Sequence, residues 1–278
     1  MSQIKVTVYI TSHNYGRYLK TAVDSVLSQS LATWELFIVD DGSSDDTYQI
    51  AQGYGDSDER IFVIRNERAQ GLRNCANAVL NLARGELIIR LDADDYFDDS
   101  ALLILANYMD NNPNKGLVFP NWIYIDEQGG FIGIENRKIV GAESKVLDLP
   151  AHGACTMVRK RVLKSIGGYD PQFDAQDGHE LWLKVLHRFD VGNVTTPLFF
   201  YRQHGSSMSR DENRILNARQ KIKRGISKIH TGVVKPRVVA VVPAKNSYAE
   251  TPNIVMEEIA GKPLIDYTLE AAKACELL

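Results

Sequence analysis

The first hundred residues alternate buried-strand runs with amphipathic helices, and this alternation constrains the fold more than any other feature of the chain. "KVTVYITS" reads as a strand, and "RYLKTAVDSVLSQ" puts Leu19, Val23, Val26 and Leu27 on one helical stripe. "WELFIVDDGSSDDT" is a second strand running into acids and a turn, and "RIFVIRNE" is a third. "GLRNCANAVLNLARG" predicts a helix bounded by Gly71 and by Gly85, the latter read as its C-terminal stop, before a fourth strand in "ELIIRLDADD". Such β-α-β-α order predicts an α/β domain with a mostly parallel sheet flanked by helices. Ligands of these sheets sit in the crevice beyond the carboxyl ends of the strands. Those ends carry Thr11-Ser12-His13-Asn14, Asp40-Asp41 and Asp92-Ala93-Asp94, so the three polar clusters are expected to converge on one site.

The fourth strand poses a chemical question, because Asp92, Asp94 and Asp95 crowd three acids into four positions. Carboxylates that close raise each other's pKa unless a cation or hydrogen-bond donors offset them. One reading makes them the acidic first turn of the helix "ALLILA", which suits Asp98 and Asp99 better. A calcium loop wants glycine at its sixth position and glutamate at its twelfth, and counting from Asp92 finds Phe97 and Leu103. The remaining reading is a divalent ion shared between one or two carboxylates and the phosphates of a substrate.

Composition removes several other classes. A net charge of −3 over 278 residues offers no basic field for nucleic acid. Cys75, Cys155 and Cys275 are far apart, which fits neither a disulfide framework nor a zinc site and suits a reducing compartment. No apolar run approaches the roughly 18 residues of a membrane span, and "MSQIKVTVYI" lacks a signal-peptide layout. The expected location is cytoplasmic.

The segments "VYITSHNYGRYLKTAVDSVLSQS", "ELFIVDDGSSDDT", "GLRNCANAVLNLARGELIIRLDADD", "QDGHELWLKV" and "YRQHGSSMS" together resemble the inverting family 2 glycosyltransferases of GT-A (Rossmann-like) fold, over about residues 4–210. The resemblance implies that Thr11, Asn14 and Asp41 help hold the nucleotide of a nucleotide-sugar donor, a UDP-sugar first among them. It places Asp92 near the ribose or the metal and makes Asp94 the principal ligand of a Mn²⁺ or Mg²⁺ ion. His204 would reach the pyrophosphate or the metal, and Arg202 would neutralise phosphate in the same place. Asp177, just ahead of "ELWLKV", matches the family's catalytic base, with Gln176 where many members carry a second acid. Glu180 then serves as a first-turn acid or an acceptor contact. Against these stand plainer roles: Asp177 as a helix N-cap, His204 as a surface histidine, and Trp122, Trp182 and Tyr201 as core. The acceptor would be a hydroxyl of a glycan or lipid-linked saccharide, in bacterial surface polysaccharide synthesis. A non-catalytic module that binds nucleotide-sugar is the rival from another class.

Past residue 115, "GLVFPNWIYID" and "FIGIENRKIV" flank a tight return at Glu127-Gln128-Gly129-Gly130, followed by a strand in "CTMVRK", a helix in "HELWLKVLHRF" and a strand in "PLFFYRQHG". Residues 211–232 are expected to form a basic amphipathic linker helix, with Ile215, Ile222, Ile226 and Ile229 opposite its Lys and Arg. It either lies on an anionic membrane or packs its isoleucines on the first domain. At residue 233 the pattern restarts: "VVPAK" and "AGKPLIDYTLEAA", a helix opened by Pro263, resemble the start of a cytidylyltransferase for acidic sugars. The loop between them lacks the glycine-rich phosphate cradle, and about forty residues are too few for an independent core. Residues 233–278 are therefore expected to be part of a longer bifunctional protein, or a strand-helix extension that docks or self-associates.

Overall fold

The computed structural model describes residues 3–135, 153–173 and 176–205, with short pieces between 215 and 270. It divides into two compact units, Met1–Ile222 and Lys223–Leu278. In the first unit the chain runs β1 (Val6–Ser12), α1 (Gly16–Leu27), β2 (Trp34–Asp41), α2 (Thr47–Ser57), β3 (Ile61–Asn66), α3 (Leu72–Leu82) and β4 (Leu87–Asp92). Then follow β5 (Tyr96–Phe97), α4 (Ala101–Asn111), β6 (Lys115–Ile125), β7 (Phe131–Glu135), β8 (Met157–Arg159), α5 (Lys160–Ser165), α6 (Asp177–Leu186) and β9 (Asp190–Arg202).

The strands make one nine-stranded sheet in the order β3-β2-β1-β4-β8-β6-β9-β5, with β7 paired to β6. From β3 to β4 every pairing is parallel, as the alternating pattern requires. Beyond β4 the sheet turns mixed, because β8 enters antiparallel to both β4 and β6 while β9 runs parallel to β6. Helices cover both faces of the parallel half, so all eight residues of β2 are buried and its apolar run is continuous rather than alternating. Of the stripe that the sequence set out on α1, Leu19, Val23 and Val26 are fully buried and Leu27 is half-buried, and Trp122 and Trp182 lie in the core.

Gly85 serves a purpose other than ending a helix. The helix stops at Leu82, and a Cβ on Gly85 would lie 2.5 Å from the backbone nitrogen of Thr7. Bare backbone is needed there for β4 to enter beside β1. Close by, buried Glu35 accepts from the Thr7 hydroxyl at 2.7 Å and from the Arg84 backbone N–H at 2.6 Å. These bonds hold its carboxyl below the usual range although burial alone would raise it.

Residues 217–222 of the expected basic helix are helical, with Ala218 and Ile222 buried and Arg219 and Lys221 exposed. In the second unit, described residues form two small antiparallel pairs, Ser247–Tyr248 with Thr251–Pro252 and Glu258–Ile259 with Lys262–Pro263. Pro263 therefore sits in a short strand instead of opening a helix, and helical geometry is described at Leu269 and Glu270. The strand expected in "PRVVAVVPAK" lies outside the described residues.

Candidate active site

Sheet register brings the polar clusters together. Thr11 of β1 is paired with Val39 of β2 on one side and Asp92 of β4 on the other, and Ser12 is paired with Asp40. Asp41 closes β2 opposite Asn66 of β3. All these residues stand at the carboxyl edge of the parallel half.

Two of the residues expected to hold the nucleotide also build the loops around it. Asp41 accepts from the Asn66 side chain and the Gln70 N–H through Oδ1, and from the Gly71 N–H through Oδ2, each at 2.8 Å. Burial opposes its ionisation, but these donors outweigh it and hold the carboxyl below the usual range. Asn14 takes a left-handed backbone, φ 61°, and its Oδ1 accepts from the Ser44 N–H at 2.8 Å. Its own N–H donates to the Ser43 hydroxyl at 2.9 Å, tying the β1–α1 turn to the β2–α2 loop.

The three acids after β4 separate by environment. Asp92 and Asp94 keep part of their side chains open to solvent, 28% and 17%. Asp95 is buried, and its Oδ1 accepts the Arg202 backbone N–H at 2.8 Å, which fixes the loop to β9. Its other oxygen has no hydrogen-bond partner among the described residues. Burial first, then the charges of Asp94 and Asp92, push the Asp95 carboxyl well up. Burial likewise lifts Asp92 to about 6, with Asp94 and Asp177 adding to the rise and Arg90 opposing it. The repulsion that the sequence implies is present as the smaller contribution, behind burial.

His204 is buried against the same loop, with Nε2 at 2.8 Å from Asp94 Oδ2 and its ring 5.5 Å from that of Tyr18. Arg202 donates Nε to the Asp94 carbonyl at 2.9 Å and Nη1 to the Glu127 carbonyl at 2.9 Å, joining the acid loop to the β6–β7 turn. Among the described residues no three His, Cys, Asp or Glu form a ready-made metal cage. Two part-exposed carboxylates with one adjacent imidazole do fit a hard divalent ion that completes its shell with phosphate oxygens.

Across the cleft Asp177 is the first residue of α6, and the N-cap position falls on Gln176, so Asp177 does not cap its own helix. Its Oδ2 instead accepts from Arg90 Nη1, while Arg90 Nε lies 2.8 Å from Asp92 Oδ1. Burial would raise the Asp177 carboxyl, but Arg90 and Arg73 together hold it below the usual range. Helix α6 is pinned from beneath by Glu180, which is buried rather than turned to an acceptor; it pairs with Arg73 of α3 and accepts the Asp170 N–H at 3.0 Å. Gln176 is left-handed, φ 59°, and its Oε1 accepts from Arg219 Nε at 2.8 Å. Asn14, Cys155 and Gln176 are the three non-glycine residues with positive φ among the described residues. Asn14 and Gln176 adjoin the site residues, where strained backbone is commonly retained for function, while Cys155 is fully buried and bonded to the Arg90 carbonyl.

Arg90 and Arg73 do not stand out as site residues in the sequence. A signal for Arg90 is present in "LIIRLD", since a charge inside an otherwise apolar central strand must find a buried partner.

The mixed α/β sheet, with acids gathered at its parallel edge, has the GT-A architecture. The chain belongs to Glycosyl transferase family 2, whose model matches residues 7–167. It is 29% identical over 215 residues to UDP-Glc:alpha-D-GlcNAc-diphosphoundecaprenol beta-1,3-glucosyltransferase WfgD of Escherichia coli, covering 75% of this chain and 81% of that protein. Its fold matches the crystal structure of S. aureus TarS with a TM-score of 0.65 at 17% identity, over 81% of this chain and 39% of that one. It thus spans about two fifths of that TarS chain. TarS 1–349 in complex with UDP matches with a TM-score of 0.62 at 17% identity, over 81% of this chain and 70% of that one. The mannosyltransferase PcManGT from Pyrobaculum calidifontis, in complex with GDP-Man and Mn²⁺, matches with a TM-score of 0.63 at 16% identity, over 81% of this chain and 64% of that one.

Proposed function

We propose that this glycosyltransferase is metal-dependent and inverting. It moves a sugar from a nucleotide-sugar donor, a UDP-sugar first, to a hydroxyl of a lipid-linked or glycan acceptor in bacterial surface polysaccharide synthesis. The observation that carries the reading is the pairing, in one cleft, of the Asp92–Asp94–His204 group with Asp177 held opposite by Arg90. The UDP bound by TarS and the substrates in the name of WfgD support the donor and acceptor classes.

Asp94, His204 and Asp92 would hold a Mn²⁺ or Mg²⁺ ion, which when bound offsets the charge gathering on the departing diphosphate. Thr11, Asn14 and Asp41 border the nucleotide, and Arg202 fixes the acid loop beside the phosphates. Asp177 accepts the proton of the acceptor hydroxyl as its oxygen bonds to the anomeric carbon. The bond from that carbon to the phosphate oxygen breaks on the opposite face, and the nucleoside diphosphate leaves with the electron pair. One displacement inverts the anomeric centre.

The test is nucleotide release from a panel of UDP-, GDP- and CDP-sugars with Mn²⁺, with Mg²⁺ and with EDTA. Release confined to the metal-containing reactions supports the reading, and equal release in EDTA refutes the metal dependence. A lipid-linked acceptor would set the work at the cytoplasmic face of the membrane, with the helix around residues 217–222 as the candidate contact. No described helix is long and apolar enough to cross a bilayer. The "VVPAK" and "AGKPLIDYTLEAA" segments support a further reading, a transferase half joined to a cytidylyltransferase, with self-association through residues 233–278 as its companion. CMP-sugar formation from CTP tests it.

A further inference from the structure

Arg90 is a charge embedded in apolar strand. Its neighbours Ile89 and Leu91 are fully buried, and its own side chain is 6% exposed. Its guanidinium makes two different connections. Nε and Nη2 meet Asp92 at 2.8 and 3.3 Å, on the acid loop that ends β4. Nη1 donates to Oδ2 of Asp177, which opens α6 far along the chain. A third segment closes over this junction. A Cβ on Gly153 would stand 2.6 Å from Arg90 Nη2 and 2.7 Å from Asp177 Oδ2, so a side chain there would force the ends of this pair to shift. Two residues on, left-handed Cys155 donates its N–H to the Arg90 carbonyl at 2.8 Å. Tyr9 is Arg90's register partner on β1, and its hydroxyl meets that of Tyr169 at 3.3 Å.

Stability alone is a weak reason for this arrangement. Replacing buried ion pairs by apolar packing is often neutral or stabilising, and the rest of β4 up to Asp92 is apolar already. What Arg90 adds is geometry: it keeps two carboxylates in one cleft against their repulsion and grips one oxygen of Asp177. We propose that Arg90 is a positioning residue for the transfer step. It orients Asp177 through Oδ2 so that the second oxygen takes the acceptor's proton, and Gly153 is the small residue that lets the pair close. This rests on the reading of Asp177 as base.

The experiment compares Arg90→Met, Arg90→Lys, Gly153→Ala, Asp177→Asn and the double variant Arg90→Met/Asp177→Asn. It measures UDP release from UDP-glucose and UDP-N-acetylglucosamine, together with affinity for UDP plus Mn²⁺ by calorimetry. Displacing a catalytic group by an ångström or so lowers turnover by about a hundredfold. Arg90→Met and Gly153→Ala should each lose about that much while UDP affinity stays within about threefold, and Arg90→Lys should recover part of the loss. The double variant should be no slower than Asp177→Asn alone, because residues acting as one unit are not additive. Losses that multiply in the double variant, or a parallel fall in UDP affinity, would overturn the proposal. So would normal turnover in Arg90→Met or in Gly153→Ala. If Arg90→Met does not fold, Arg90→Lys and Gly153→Ala decide the question by the same criteria. Normal turnover in Asp177→Asn would remove the base assignment itself, and the proposal with it. An inactive Asp177→Asn beside fully active Arg90 variants removes the proposal alone.

Discussion

Asp41→Asn should weaken the protein at neutral pH by about 3 kcal/mol, and the figure follows from what the carboxylate holds. Three donors converge on it at 2.8 Å: the Asn66 side chain and the Gln70 N–H on Oδ1, and the Gly71 N–H on Oδ2. An asparagine keeps one oxygen and points an NH₂ at a site that needs an acceptor. The loss is one hydrogen bond to a charged group, about 1.5–3 kcal/mol, plus about 1–3 kcal/mol for a donor left facing another donor. Allowing for overlap between them, about 3 kcal/mol remains, or roughly 6–12 °C in the melting midpoint for a unit of this size. The pH dependence has a definite sign. The donors hold the folded carboxyl below its ordinary value in spite of burial. Its contribution is therefore complete above the unfolded value of about 3.9, and it is lost as pH falls through the lower folded one. Urea denaturation of both proteins from pH 7 to pH 3 should show the gap at its full size near neutrality and narrowing below about pH 4. A difference under about 0.5 kcal/mol at pH 7, or one that stays constant through the acid range, would refute the reasoning.

Asp94→Ala should abolish turnover and remove the part of UDP affinity that EDTA removes from the parent protein; calorimetry with unchanged EDTA sensitivity would contradict this. Asp177→Asn should leave UDP affinity nearly intact and cut turnover by about two to four orders of magnitude, the usual share of general-base catalysis. Near-normal release by that variant would move the role elsewhere. Gly85→Ala should destabilise by about 1–3 kcal/mol, because the new Cβ would lie 2.5 Å from the Thr7 nitrogen and force β1 and β4 apart. An unchanged melting midpoint would show that the two strands have room to spare.

The parallel half of the sheet is legible in the sequence because each of its strands is an apolar run ending in polar residues, and parallel order follows from the helices between them. The meeting of Thr11, Asp41 and Asp92 at one edge is legible for the same reason. The mixed half is not, since β8 is three residues long and inserts between β4 and β6 from a distant part of the chain. Gly85 misleads because a glycine after a helix serves a cap or a close approach equally well, and only its spacing from Thr7 separates the two. Asp95 stands in the acid cluster like a third ligand, yet its neighbour on β9 turns it inward. The Arg73–Glu180 pair joins α3 to α6 across more than a hundred residues, and no local pattern announces such a contact.

The most direct test of the central claim is the anomeric configuration of the transfer product. UDP-glucose, an α-linked donor, would be incubated with Mn²⁺ and a short-chain lipid-diphosphate N-acetylglucosamine acceptor, and the new linkage read from its anomeric proton by NMR. A β-linked disaccharide, absent when Asp177 is replaced by Asn, is the predicted result. An α-linked product would contradict a single displacement driven by Asp177.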